Sequence, residues 1–141
     1  MRWFEIGLVV LTFATGIIWL LDRLFFAKAR LRNEGLLEAK ELHGLAARLD
    51  GRVVGIAHYL FHTNVWVDDV CYLADLFVDE QVRGQGAARL LIEAVADKAR
   101  QRGCQRYYWL TQQHNVRARG LYDKVARFAG FIRYDYPLNP A

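Results

Sequence analysis

The chain of 141 residues contains no serine, so no mechanism that needs a serine nucleophile is open to it. Cysteine is scarce as well: Cys71 and Cys104 are the two present. Their spacing from each other and from the four histidines does not match a zinc-binding pattern, and we predict no bound metal. Two widely separated cysteines are expected to be reduced thiols in a cytosolic compartment.

The excess of basic over acidic charge is also small in the part of the chain that is expected to fold. The net charge is +4, but residues 1–32 carry five basic and two acidic side chains, and the remainder carries 14 and 13. The excess therefore belongs mainly to the N-terminal segment. A nucleic-acid partner would require a basic stripe on the folded domain, so no nucleic-acid binding is predicted.

The N-terminal segment contains a long apolar run, with no charged residue from Ile6 to Leu21. With its flanking aromatic residues, a transmembrane helix over residues 3–26 is predicted within a hydrophobic leader of residues 1–28. Basic residues follow this run closely and predict attachment to the inner membrane with the domain facing the cytoplasm, or otherwise a cytoplasmic protein. A cleaved signal and an apolar helix packed on the domain remain alternatives.

Strands and helices alternate through the rest of the chain. Helix-forming residues followed by the turn pair Asp50-Gly51 predict a connecting helix over residues 29–50. The pattern as a whole predicts an α/β fold with a mixed sheet flanked by helices. The further predicted elements are strands over 53–61, 70–78, 107–110 and 131–136, a strand start at 65–67, and helices over 87–102 and 116–129.

A loop with two glycines joins the apolar strand that ends at Val78 to the helix that begins near Ala87. Such a junction directs several backbone N–H groups and the positive end of the helix dipole to one place, which suits a phosphate or pyrophosphate. The spacing of Gly84 and Gly86 matches neither the P-loop nor the three-glycine dinucleotide pattern. A plain glycine-rich turn before a helix has the same spacing.

The pattern Gln81-x-x-Gly84-x-Gly86 resembles the coenzyme A loop of the GCN5-related N-acetyltransferases (GNAT). A second block, from Tyr108 to Val125, is similar to the later half of that family, and the resemblance runs from about Arg52 to Leu138. It implies an N-acetyltransferase that moves an acetyl group from acetyl-CoA to a primary amine of a small molecule or protein. The amino-acid sequences of both blocks are most similar to those of the histone and polyamine acetyltransferase-like branch.

The resemblance also assigns roles to individual residues. It implies that Tyr122 is the catalytic acid that protonates the leaving thiolate, and that Asn115 contacts the cofactor. The backbone before the loop would bond the pantetheine arm, and the loop with the start of the helix would hold the pyrophosphate. The implied cofactor-binding residues are Leu76, Phe77, Val78, Gln81, Arg83, Gly84, Gln85, Gly86, Ala87, Ala88 and Asn115. The general base stays open among Asp75, His58 and His62.

The N-terminal region of the chain differs from the pattern of this family. Only residues 29–50 stand where the family has a strand and two helices, so the resemblance implies an incomplete GNAT sheet in residues 51–138. Residues 15–27 resemble the end of the first membrane segment of bacterial signal peptidase I, whose chemistry needs the serine that this chain lacks. An impaired CoA-binding module and a non-functional membrane-anchored fusion fragment are therefore alternatives. Self-association is expected, because the absence of the family's N-terminal strand and helices would expose a sheet edge.

Overall fold

The computed structural model describes residues 42–139 and, by its backbone alone, the strand at residues 4–8. The chain divides into two compact units, the first ending at Leu110 and the second running from Thr111. In the first unit, the strands are β1 Phe4–Leu8, β2 Leu42–Leu49, β3 Arg52–His62, β4 Val70–Val78 and β5 Arg106–Tyr108, with helix α1 at Ala87–Arg102. The second unit contains helix α2 at Val116–Val125.

The strands form one five-stranded sheet in the order of the chain. Strands β1 to β4 are antiparallel neighbours, whereas β5 lies parallel to β4. A parallel pair needs a crossover connection, and α1 supplies it between β4 and β5. The mixed α/β architecture is therefore confirmed.

Helix α1 packs its apolar stripe on one face of the sheet. Leu91, Ile92, Val95 and Ala99 are buried along the helix, as the 3.6-residue spacing of the sequence predicts. A Cβ on Gly55 of β3 would lie 3.0 Å from Leu91 Cδ1 and 3.1 Å from the Phe77 carbonyl oxygen, so close packing there requires glycine. The strands contribute Leu45, Ala47, Ala57, Tyr59, Cys71 and Leu73 to this core.

Strand β4 contains one residue more than its neighbour. Leu73 pairs with Tyr59 and Asp75 pairs with His58, so Ala74 is the extra residue of a β-bulge. Ala74 and Asp75 are consecutive exposed positions in a strand whose first half is largely buried. Beyond the bulge, Val78 lies against Gly55, on the face that α1 covers.

The predicted helix over residues 29–50 is wrong from residue 42 onward. Residues Leu42–Leu49 form β2, which pairs with β3 on one side and β1 on the other. Alanine, leucine and arginine favour a helix in isolation, but pairing with two strands outweighs that intrinsic preference. Residues 29–41 lie outside the described part of the chain, and the predicted domain boundary at residue 51 falls in the turn of the β2–β3 hairpin.

The predicted membrane helix over residues 3–26 is wrong at Phe4–Leu8, which form β1 at the outer side of the sheet. The remaining residues of that prediction lie outside the described part of the chain. Neither α1 nor α2, the two α-helices described, has the length and apolar character that crossing a bilayer demands.

The C-terminal part also differs from the prediction. Helix α2 ends at Val125 rather than near Gly130, and residues 127–137 form no regular element in place of the predicted strand at 131–136. The aromatic pattern of this segment suits a strand, but a strand needs a hydrogen-bonded neighbour. The segment predicted to start a strand at 65–67 is a bend between β3 and β4.

Candidate functional site

The loop after β4 is built on a buried aspartate. The Asp79 backbone N–H donates to the Val54 carbonyl at 2.7 Å, and its carboxylate accepts the Gln81 backbone N–H at 2.9 Å. Arg52 Nη2 lies 3.5 Å from the same carboxylate. These bonds begin the one-turn 3₁₀ helix Glu80–Val82 and fix the start of the loop to β3.

The two glycines of the loop adopt a conformation that other residues rarely take. Gly84 has φ of 79° and Gly86 has φ of 89°, both in the left-handed region. A Cβ at either position would meet no described atom within 4 Å. The requirement for glycine is therefore conformational, and a side chain added there would project over an otherwise open backbone.

Helix α1 begins directly after Gly86, and no side chain caps its N-terminus. The first turn of a helix presents backbone N–H groups that lack acceptors within the helix, and its dipole adds positive potential. That turn contains Arg89 and no acidic residue. The Arg83 guanidinium, just before it, contacts Glu80 at 3.1 Å and the Val78 carbonyl at 3.4 Å. This arrangement is suited to an anionic group such as a pyrophosphate.

The ladder between β4 and β5 is shorter than the ladder between β4 and β3. The ladder between β4 and β5 spans Val70 to Tyr72 and stops there, whereas the ladder to β3 continues to Val78. Leu76–Val78 therefore lie beyond the end of the β4–β5 ladder and directly before the loop. A strand segment beyond the end of a ladder can bond an extended ligand through its main chain.

Of the two predicted site residues of the second unit, Tyr122 lies on α2 and Asn115 caps that helix. Asn115 caps the helix, because its side chain accepts the Ala118 backbone N–H at 3.4 Å while Nδ2 donates to Thr111 Oγ1 at 3.2 Å. Burial raises the pKa of the Tyr122 phenol above its ordinary value. The phenol therefore remains protonated through the neutral range, as a proton donor to a thiolate must.

The candidate bases fall at two places on β3. His58 Nδ1 lies 3.4 Å from Asp75 Oδ2 across the β3–β4 ladder. His62 Nε2 lies 3.0 Å from the Tyr108 hydroxyl, and its Nδ1 lies 3.0 Å from the Thr63 carbonyl oxygen. The structure thus brings Asp75 and His58 together and separates His62 from them. In residues 42–139, no three His, Cys, Asp or Glu side chains group closely enough to hold a metal ion.

The sequence did not single out the contribution of Asp79 and Arg52. The signal was present, because an aspartate that directly follows an apolar strand and precedes a turn often accepts a backbone N–H two residues later. The motif spacing drew attention to the glycines, and the residue that positions the loop lies outside that spacing.

The loop and the N-terminus of α1 follow the end of β4 that lies beyond the β4–β5 ladder, an arrangement that suits a phosphate-bearing, extended ligand. Residues 16–128 match the model of the acetyltransferase (GNAT) family, and the chain belongs to that family. The match starts well before Arg52, so part of the family pattern is also present in the region that the motifs left unassigned.

Known proteins share both sequence and fold with this chain. The D-amino-acid N-acetyltransferase HPA3 of Saccharomyces cerevisiae is 46% identical over 77 residues, which are 54% of this chain and 48% of that protein. The thialysine N-epsilon-acetyltransferase of Caenorhabditis elegans is 32% identical over 96 residues, 68% of this chain and 59% of that protein. The chain thus spans about half to three-fifths of these relatives.

Among solved structures, the ribosomal-protein-alanine N-acetyltransferase of Brucella melitensis biovar Abortus 2308 superimposes with a TM-score of 0.77 at 25% identity. The superposition covers 96% of this chain and 100% of that one. The likeness therefore extends over the sheet and helices described above.

Proposed function

We propose that this chain binds acetyl-CoA and transfers its acetyl group to a primary amine. The observation that carries the proposal is the loop with Gly84 and Gly86 in the left-handed conformation, which leads into a helix N-terminus that no side chain caps. Membership of the acetyltransferase family supports the same conclusion.

Each part of the donor has a proposed binding element. Backbone N–H groups from Arg83 to Ala88, with Gln81 and Gln85 beside them, would hold the pyrophosphate, and the backbone of Leu76–Val78 would bond the pantetheine arm. Asn115 would contact the cofactor. Gly84 and Gly86 fit the role of holding the pyrophosphate because a Cβ at either position would meet no described atom within 4 Å, so a ligand can approach their backbone closely.

The acyl transfer itself requires two proton movements. The amine nitrogen loses a proton and bonds to the thioester carbon, the carbon–sulfur bond breaks, and the departing thiolate takes up a proton. We propose Tyr122 as the source of that last proton, on the basis of the family motif and of its raised phenol pKa. Acyl transfer from a thioester needs no metal.

The acceptor is proposed by analogy with the relatives. One relative is a D-amino-acid N-acetyltransferase and another is a thialysine N-epsilon-acetyltransferase, so small amino-acid amines are the first acceptors to test. The similarity of the motifs to the histone and polyamine branch adds polyamines and a lysine peptide to that panel. Activity on any of these amines would support the transferase proposal.

The decisive experiment is the change in melting temperature on addition of acetyl-CoA. We expect saturating acetyl-CoA to stabilise the chain, by about 2.7 kcal/mol at a hundredfold excess over its dissociation constant. Gly86→Leu should abolish this stabilisation, because the new side chain projects over the open backbone. Gly51 provides a matched control, since it has φ of 75° in the β2–β3 turn and a Cβ there also meets no described atom within 4 Å.

The control separates strain from binding. Gly51→Leu should lower the melting temperature through left-handed strain of about 1–2 kcal/mol and keep the response to acetyl-CoA. An unchanged melting curve of the wild-type chain would contradict the proposal. Stabilisation without thiol release on the amine panel would instead favour a CoA-binding module with impaired catalysis.

Location and assembly are further proposals. We propose that the domain faces the cytoplasm, where acetyl-CoA is available, either attached to the inner membrane or free. Cell fractionation distinguishes the two, because recovery in the membrane pellet after alkaline extraction would favour the predicted anchor. Self-association is proposed from the outer strands β1 and β5 and from exposed aromatic side chains between residues 128 and 136. Elution as a monomer in gel filtration would contradict it.

A further inference from the structure

The family motifs leave the proton of the acceptor amine without an assigned base. A primary amine is mainly protonated at neutral pH, because its pKa is about 10, and an ammonium cannot attack a thioester. A base within reach of the amine is therefore required. Histidine is the side-chain type best suited to exchange a proton near neutral pH, and three histidines lie among the described residues of the first unit.

Two of the three histidines in this unit are poorly placed. The ring of His43 stacks on Tyr59 at 5.2 Å, on the face of the sheet that α1 covers, and burial together with Arg102 lowers its pKa. Both ring nitrogens of His62 already lie within 3.0 Å of an oxygen, one from Tyr108 and one from Thr63. His62 is also four residues from His58, or about 13 Å along the strand.

His58 has a different environment. Successive residues of a strand alternate between faces, so His58 lies on the face opposite to Tyr59 and hence away from α1. Its Nδ1 faces the Asp75 carboxylate at 3.4 Å, and its side chain is 20% exposed. Its cross-strand neighbour on β2 is Gly44, whose absent Cβ would lie 3.5 Å from His58 Cδ2 and 3.9 Å from Nε2. The glycine leaves room beside the ring edge that carries Nε2.

The position of Asp75 along β4 also supports a role in the reaction for the His58–Asp75 pair. Asp75 directly precedes Leu76–Val78, the segment proposed to bond the pantetheine arm. The bulge at Ala74 places the Asp75 carboxylate on the same face as His58 with 57% of its side chain exposed. An imidazole with one nitrogen on a carboxylate and the other directed elsewhere is the arrangement of a general base with a fixed tautomer.

We infer that His58 is the general base of the acetyl transfer and that Asp75 is the residue that positions it. This inference rests on the proposed transferase function. His58 Nε2 takes the proton of the acceptor ammonium and becomes imidazolium, with the Asp75 carboxylate stabilising that charge through Nδ1–H. The imidazolium returns this proton to solvent. The neutral amine attacks the thioester carbon, the carbon–sulfur bond breaks and the thiolate takes the Tyr122 proton. The attacking nitrogen then releases its second proton to solvent, and solvent restores the proton of Tyr122.

The test is the pH dependence of kcat/KM for an amine that the wild-type chain acetylates. His58→Gln should lower kcat/KM at pH 7 by about 10²–10⁴-fold, the usual contribution of general base catalysis. The rate of this variant should then rise about tenfold per pH unit toward the amine pKa of about 10, because solution now supplies the free amine. Charged and titratable groups on the face of His58 in the described strands are Asp75 and, two register pairs away, Tyr72, whereas β2 presents Gly44.

His62→Gln is the matched control, on the same strand and the same face. It should retain the wild-type pH profile, and an equal loss in both variants would contradict a specific role for His58. Asp75→Asn serves if His58→Gln folds poorly, because its side chain is largely exposed. It should lower kcat and leave the KM for acetyl-CoA unchanged, and Asp75→Glu should restore part of the rate.

The outcomes distinguish this inference from the proposed function. Wild-type turnover with unchanged profiles in His58→Gln and Asp75→Asn would overturn the inference alone. A wild-type chain that is stabilised by acetyl-CoA yet acetylates no amine of the panel would overturn the transferase function and this inference with it. A fall of kcat/KM at pH 7 in His58→Gln, with a rate that rises toward pH 10 and with acetyl-CoA stabilisation intact, would establish His58 as the base.

Discussion

At the scale of single residues, Tyr122 gives the sharpest expectation. Tyr122→Phe removes the phenol oxygen and keeps the ring, so the proposed proton donor is lost while helix packing is retained. We expect kcat to fall by about 10²-fold or more, as for loss of a general acid, with little change in acetyl-CoA affinity. Tyr136→Phe, at a position that is 85% exposed, is the control, and turnover in Tyr122→Phe equal to wild type would assign Tyr122 to packing.

Single residues were also where sequence analysis was most informative and most incomplete. Gly84 and Gly86 could be recognised because a left-handed backbone leaves a direct mark in the sequence. The Asp75–His58 pair could not, since the two residues lie 17 positions apart and meet only through the β3–β4 register and its bulge. Register depends on the pairing of whole strands, which composition does not encode.

At the scale of elements, α1 offers a test of the face that packs on the sheet. Leu90 and Leu91 are neighbours in sequence, but Leu91 is fully buried and Leu90 only partly. Leu91→Ala should lower the free energy of unfolding by about 2–5 kcal/mol, because it leaves a cavity beneath the helix. Urea unfolding of Leu90→Ala should show a clearly smaller loss, and equal losses would contradict the observed face.

The bounds of α1 were predicted correctly because its apolar spacing, its preceding glycines and Gly103 all agree. The same reasoning failed for β2, where helix-forming residues occupy a strand. It also failed for β1, because a short strand cannot be recognised inside a longer apolar run. In both cases the neighbouring strand, rather than the local sequence, determines the structure.

At the scale of the whole molecule, several buried acids predict weak stability at alkaline pH. Burial raises the pKa of Cys71 from 9.0 to about 12, and burial also raises the pKa of Tyr59 and Tyr108. The unfolded chain therefore releases these protons first, so the free energy of unfolding is unaffected by them below about pH 9 and falls as pH rises above it. For Cys71 the slope is at most about 1.4 kcal/mol per pH unit.

Urea unfolding at pH 7, 9 and 10 measures this effect. Cys71→Ala should be less stable than wild type at pH 7, because it leaves a cavity, but should lose less stability between pH 9 and pH 10. An equal decrease in the free energy of unfolding of the two proteins over that interval would show that the Cys71 thiol does not contribute to the loss of stability at alkaline pH.

The bulge in β4 determines which positions of the strand accept a polar residue. The two-residue alternation runs in two phases, since Cys71 and Leu73 face the core before Ala74, whereas Val78 does so after it. With an unbroken alternation, position 75 would fall in phase with Leu73 and require an apolar residue. The extra residue shifts the alternation of side chains between the two faces by one position. A carboxylate can therefore occupy the middle of a core strand and still face water.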